Sequence, residues 1–393
     1  MPADMENDLR IRLPRADRTI EDYSLVGQPI TAQRASGEFN RVAYAAGHVV
    51  FDPLAPSDPW VAPAIDWDRT LAFREHLWSL NLGIAEAMDT AQRGMGFGWD
   101  MALELIRRTM AAAGKNNYVA SGCGTDQLDP SKPPMLDDVI RAYEEQMEAV
   151  EACGSRVVLM ASRALVQAAK GPDDYRNVYD RLLRQAAAPV ILHWLGPMFD
   201  PMLEGYWGHR DYSVARDVVL DIIGENRAKV DGIKISLLDA AKEIDLRSLL
   251  PGSTKMYTGD DFNYVDLIAG DGQHHSHALL GAFDAIAPAA SAALSHLATG
   301  DVTGYRDILA PTEALSRHLF AAPTRFYKTG VVFMAYLNGH QDHFTMVGGL
   351  ESARSTLHLA DIFRLADQVN LLADPALAVQ RMAAVLAVRG VQQ

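Results

Sequence analysis

The chain has 393 residues, 49% of them hydrophobic, enough to bury the core of one large α/β barrel with extensions or of two ordinary domains. Its net charge of −14, with no long basic run, argues against nucleic acid or an anionic membrane surface as the partner and makes a small molecule the expected ligand. Two cysteines, Cys123 and Cys153, lack metal-type spacing and suit a reducing compartment; with no apolar leader and no bilayer-length apolar run, a cytoplasmic protein is expected.

Residues 1–40 read as a polar tail followed by an irregular or hairpin-like cap. From residue 41, short apolar runs alternate with longer amphipathic stretches, the order of repeated βα units. The eight runs are Arg41 to Ala46, Ile84 to Thr90, Asn117 to Ser121, Arg156 to Ala161, Val190 to Leu195, Gly232 to Ser236, Lys255 to Gly259 and Ala278 to Phe283. Between them, apolar residues recur at helical spacing, as in Phe73, Leu77 and Leu80, in Val139, Tyr143, Met147 and Val150, and in Val214, Val218 and Ile222. Helix-sized connections make the strands parallel. Eight units over residues 41–300, with no Gly-rich phosphate turn after the first, predict a (β/α)8 TIM barrel rather than a doubly wound sheet. Residues 301–393 are expected to be a helical region packed on the barrel, broken by the Gly-rich and aromatic stretch Phe326 to Gly349; such a tail suits a homo-oligomer, a dimer or tetramer.

In a (β/α)8 barrel the active site lies at the C-terminal ends of the strands, so the polar residues ending these runs are the candidates. They are Asp89 and Thr90 on the second run, Ser162 and Arg163 on the fourth, His193 on the fifth, Lys234 on the sixth, and Tyr257, Gly259, Asp260 and Asp261 on the seventh. Lys234 stands out. In Gly232-Ile233-Lys234-Ile235-Ser236 the alternation of a strand sends the two isoleucines to one face and the lysine to the other, toward the barrel interior. Desolvation there lowers an amine's pKa and frees neutral amine to attack a carbonyl. The alternative is a strand-end lysine that snorkels to solvent or pairs with an acid.

The order of Pro189-Val190-Ile191-Leu192-His193, then Gly232-Ile233-Lys234, then Gly259-Asp260-Asp261, then Ala287-Pro288 resembles the dihydrodipicolinate synthase and N-acetylneuraminate lyase superfamily over roughly residues 40–300, and most of all a divergent subfamily of unknown function. The resemblance implies a class I aldolase mechanism with Lys234 as the Schiff-base lysine. Two departures qualify it. His193 stands where the family has a proton-relaying tyrosine, and a histidine can do acid and base work near neutral pH. Met88-Asp89-Thr90-Ala91-Gln92 stands where relatives acting on pyruvate-type acids bind a carboxylate with paired hydroxyls and backbone N–H groups. Asp89 would repel a carboxylate at close range but would accept hydrogen bonds from hydroxyls, unless it is spent on nearby Arg93.

The expected reaction is therefore retro-aldol cleavage or dehydration of a hydroxylated, uncharged oxo substrate such as a keto-sugar derivative, without cofactor or metal. Asp89, Thr90, Asp260 and Asp261 would orient hydroxyls, although one of the adjacent aspartates can serve as a helix N-cap worth about 1 kcal/mol. The rival readings are a conventional 2-oxo-acid aldolase, a metal-dependent sugar isomerase or hydrolase, and a non-catalytic sugar-binding or assembly protein on the same scaffold. His274, His275 and His277 fall before the eighth run, at the N-terminal face associated with stability, and His340 and His343 have no spacing that compels a metal.

Overall fold

The computed structural model describes residues 9–30, 37–114 and 117–392. Two strands, β1 (Arg10–Pro14) and β2 (Ile20–Ser24), form an antiparallel hairpin; residues 1–8 of the expected polar tail lie outside the described residues. Eight further strands are β3 (Ala43–Ala46), β4 (Gly83–Glu86), β5 (Val119–Cys123), β6 (Arg156–Leu159), β7 (Val190–Leu195), β8 (Val230–Ser236), β9 (Lys255–Thr258) and β10 (His277–Leu280). Each pairs in parallel with the next, and β10 closes on β3 through Ala278↔Ala43 and Leu280↔Ala45, giving a closed (β/α)8 barrel with helices in the connections.

Alternation along each strand divides the wall into two apolar faces. The inner face carries Tyr44, Ala46, Ala85, Ala120, Val158, Ile191, Tyr257 and Leu279 as one cluster. Alanines on three strands make room for the two tyrosine rings, whose centroids are 6.2 Å apart. The outer face, with Ile84, Leu159, Leu192, Ile233, Ile235 and Met256, merges with the helix layer. The β8 isoleucines thus pack outward and Lys234 stands on the inner face, where its Cα pairs in register with His193 on β7 and Tyr257 on β9.

Several expected runs overshoot. The second stops at Glu86, and Asp89 falls in the short 3-10 turn Asp89–Ala91; the eighth stops at Leu280, before a helical turn Ala282–Ala285. The stretch Phe326 to Gly349 is not simply a break. It contains the helix Tyr327–Leu337, every residue of which is buried, so it lacks the polar face by which an amphipathic helix is recognised. Around it pack the helices Thr312–Leu319, Thr356–Gln368 and Pro375–Val388. The hairpin β1–β2 rests on the last two, and Asp367 accepts hydrogen bonds from Tyr23 Oη at 2.7 Å and from the N–H groups of Val26 and Gly27.

Behind the end of β4, Arg74 donates to both carboxylate oxygens of Glu86 at 2.8 and 3.0 Å, and to the carbonyl of His48; Thr109 Oγ1 adds a bond to Glu86 at 2.6 Å. Both charged side chains are fully buried, so the pair holds only while it is complete. Arg74→Met leaves the carboxylate buried and unpaired and should cost about 3–5 kcal/mol of stability in urea unfolding. A change below about 1 kcal/mol would show that Glu86 finds another partner or takes up a proton.

Candidate active site

Lys234 is 8% exposed, and burial lowers its amine from the ordinary lysine value, opposed by the charges of Asp261 and Asp89. The side chain has room because the residue after β9 is a glycine. A β-carbon at Gly259 would overlap Ser236 Oγ and lie 2.7 Å from Lys234 Cε, so Gly259 shapes the lysine's channel rather than touching a ligand through a side chain.

His193 is fully buried beside Lys234, with Nε2 3.4 Å from Ser236 Oγ and Nδ1 without a partner among the described residues. Burial, reinforced by the Lys234 charge, holds its pKa well below the ordinary histidine value. The shift favours the neutral imidazole over the imidazolium.

The adjacent aspartates separate cleanly. Asp260 accepts from the N–H groups of Phe262 and Asn263 at 2.9 and 3.1 Å and from Asn263 Nδ2 at 2.9 Å, which makes it the cap of the following turn. Asp261 accepts from the Ala282 N–H at 2.9 Å and interacts with the Lys234 charge. Burial pushes its carboxyl up to about 7, so it exchanges a proton near neutrality.

Asp89 is half-buried and keeps its carboxylate toward the mouth. Arg93 does not consume it: that guanidinium donates to Asp126 at 3.0 Å and to the carbonyls of Ala87 and Gly122. Thr90 is buried, its Oγ1 2.8 Å from Tyr327 Oη, so its hydroxyl ties the barrel mouth to the C-terminal region. Ser162 caps the helix Arg163–Ala168 through the Leu165 N–H at 3.0 Å and meets Thr125 Oγ1 at 2.6 Å. Arg163 reaches the mouth as an ion pair with Asp200.

Tyr257 departs from expectation. Its hydroxyl donates to Asp231 at 2.6 Å, near the start of β8, so it fills the lower barrel instead of facing the mouth. The bulk of its ring sets this direction, since Gly232 leaves the space into which it turns. His277, the first residue of β10, accepts from the Val42 N–H at 2.9 Å, which keeps the histidine cluster at the N-terminal face. Among the described residues no group of three or more His, Cys, Asp or Glu side chains is arranged to hold a metal ion, and no helix is long and apolar enough to cross a membrane.

Above the strand ends lies a cleft of about 490 Å³, lined by Asp89, Arg163, Leu195 and Asp200 from the barrel loops and by Arg325, Phe326 and Lys328 from the C-terminal region. Lys234 is not among its lining residues, but Asp89 is, and the Asp89 charge acts on the lysine. A second cavity, of about 330 Å³, shares none of these lining residues. Tyr327 and Lys328 escaped the sequence reading because they belong to the fully buried helix, far in the chain from any strand end. Lys328 is 3% exposed, and burial lowers its amine to about 8.

These features define an (β/α)8 barrel of the dihydrodipicolinate synthase fold, as solved structures show. The dihydrodipicolinate synthase of Aquifex aeolicus superposes with a TM-score of 0.63 at 11% identity, covering 84% of this chain and 99% of its own. YagE of E. coli K12, a prophage protein of the dihydrodipicolinic acid synthase family solved in complex with pyruvate, gives 0.65 at 13% over the same shares. The 4-hydroxy-tetrahydrodipicolinate synthase of Methylacidiphilum fumariolicum SolV gives 0.60 at 16%, again over 84% and 99%. The chain itself belongs to the family described as protein of unknown function (DUF993), whose model matches residues 11–391. No curated protein matches it.

Gly259→Ala should cost about 1–3 kcal/mol in urea unfolding, the usual cost of overfilling a packed interior. A neutral outcome would mean that the Lys234 side chain moves aside freely.

Proposed function

We propose that the protein is a Schiff-base-forming lyase of the class I aldolase type, acting on a hydroxylated oxo substrate such as a keto-sugar derivative. The observation that carries this reading is a desolvated amine inside the barrel, at the C-terminal end of β8, with Asp261 beside it. The fold shared with dihydrodipicolinate synthases supports the same class of chemistry by analogy.

In this reading neutral Lys234 attacks the substrate carbonyl carbon, and loss of water gives an iminium. A base removes the proton of the substrate hydroxyl two carbons from the iminium carbon. The intervening C–C bond breaks, its electron pair forms the enamine, and an aldehyde leaves; protonation and hydrolysis then restore the lysine. Asp261, titrating near neutrality, is the better matched proton carrier. His193 is neutral and serves as a hydrogen-bonding partner, a change from the relay role expected of it. Asp89 accepts a hydrogen bond from a substrate hydroxyl, which disfavours a carboxylate adjacent to the carbonyl and so the pyruvate-type alternative.

Borohydride reduction with a panel of hydroxylated ketones and 2-oxo acids, followed by peptide mass mapping, should place a stable adduct on Lys234. Lys234→Met should abolish it while leaving the fold intact by circular dichroism. Absence of any adduct, with turnover of a panel member lost to a chelator, would sink the Schiff-base reading in favour of metal chemistry.

A carboxylate acting as base works only when ionised, so kcat/KM should rise with pH through about 7, the Asp261 value. Asp261→Asn should lower kcat/KM and remove that inflection. An unchanged profile would move the proton-carrying role elsewhere.

A further inference from the structure

The cleft above Lys234 is cationic in a chain whose net charge is −14: Arg93, Arg163, Arg325 and Lys328 line it against only Asp89 and Asp200. Two of the cations are already matched, Arg93 by Asp126 and Arg163 by Asp200. Arg325 lies over the Phe326 ring at 4.9 Å, and Lys328 Nζ donates to the Arg325 carbonyl at 3.1 Å and approaches Met95 Sδ at 3.5 Å. Neither has a carboxylate within ion-pair distance among the described residues. The ammonium also lies over the Tyr327 ring at 4.8 Å; a thioether is a weak acceptor and a ring face is not a counter-charge, so with one carbonyl accepted this cleft-lining ammonium keeps donor capacity. Asp89 and Asp200 act on the Lys328 charge without forming an ion pair with it, and an anion entering the cleft would supply a direct partner for the buried ammonium.

We infer that the substrate carries an anionic group, phosphate or carboxylate, remote from its carbonyl, and that Lys328 binds it with Arg325 at the rim. Assigning that group to the end opposite the carbonyl rests on the Schiff-base reading; the anion site itself does not. Asp89 lines the cleft and its charge acts on both Lys234 and Lys328, so a ligand that reaches both amines would meet it. The cleft then reads as neutral and hydroxyl-binding at the carbonyl, and positive at the far end. The expectation of a wholly uncharged substrate gives way to one whose charge is placed away from the reacting carbon. A cleft of about 490 Å³ also suits a ligand longer than a three-carbon acid.

The test uses the full-length protein and two probes that need no knowledge of the substrate, inorganic phosphate and succinate, titrated by calorimetry. At least one should bind, and Lys328→Met should weaken that binding at least about tenfold, the loss expected for one charge-assisted hydrogen bond. The tighter probe identifies the anion class. Arg325→Gln, on an exposed side chain, should weaken binding by a smaller factor without disturbing the fold, and Lys234→Met should leave it unchanged. In borohydride trapping, xylulose 5-phosphate and xylulose, whose carbonyl and phosphate positions lie at opposite ends of the chain, form a matched pair. If phosphate is the tighter probe, the phosphorylated ketone should half-saturate at a concentration at least about tenfold lower, an advantage that Lys328→Met removes. Failure of both anions to bind, or binding indifferent to both Lys328→Met and Arg325→Gln, overturns the inference even if Lys234 is trapped. Anion binding that depends on Lys328 without any trapping leaves the anion site standing and removes the Schiff-base chemistry.

Discussion

A primary amine kept out of water inside a barrel is the constraint on which the rest of the site depends. An ammonium in that position is penalised by desolvation and relieved by Asp261 and Asp89, and the balance leaves it easier to deprotonate than an exposed lysine. The same burial favours the neutral form of its neighbours too, raising the Asp261 carboxyl to about 7 and lowering the His193 imidazole. Three groups that titrate far apart in water are thereby drawn into mutual dependence, and a change at one shifts the others.

That arrangement is purchased by the packing below it. Tyr44 and Tyr257 fill the lower barrel, Tyr257 through its bond to Asp231, and they leave the upper end to smaller and polar side chains. Gly259 and Ser236 then define the passage that the lysine occupies. The wall is rigid because every strand is hydrogen-bonded on both sides, so the position of Lys234 follows from backbone register rather than from the side chain's own preferences.

The barrel was legible in the sequence because parallel strands buried on both faces read as short apolar runs, and the run Val190 to Leu195 coincides with β7. Lys234 was legible because a charge between two isoleucines is conspicuous under period-two alternation. Alternation could not tell which way along the barrel axis a long side chain leans, and so Tyr257 was expected at the wrong end. Nor could it divide the work between Asp260 and Asp261, which differ only in which backbone N–H each one meets. The helix Tyr327–Leu337 was hidden for the opposite reason: buried all round, Lys328 and Thr329 included, it has no exposed polar face for the periodicity to mark.

The bond between Thr90 and Tyr327 joins the strand-end loops to a helix more than two hundred residues further along the chain. Through it the reacting amine and the wall of the overlying cleft are supplied by separate stretches of sequence. Under the proposed mechanism the covalent chemistry would reside in the barrel, and ligand selection would be shared with a segment that contributes nothing to barrel closure. Substitutions around Arg325 and Lys328 can therefore redirect which molecules enter while the nucleophile and its neighbours stay as they are, and descendants of one such chain could diverge in diet without relearning their chemistry.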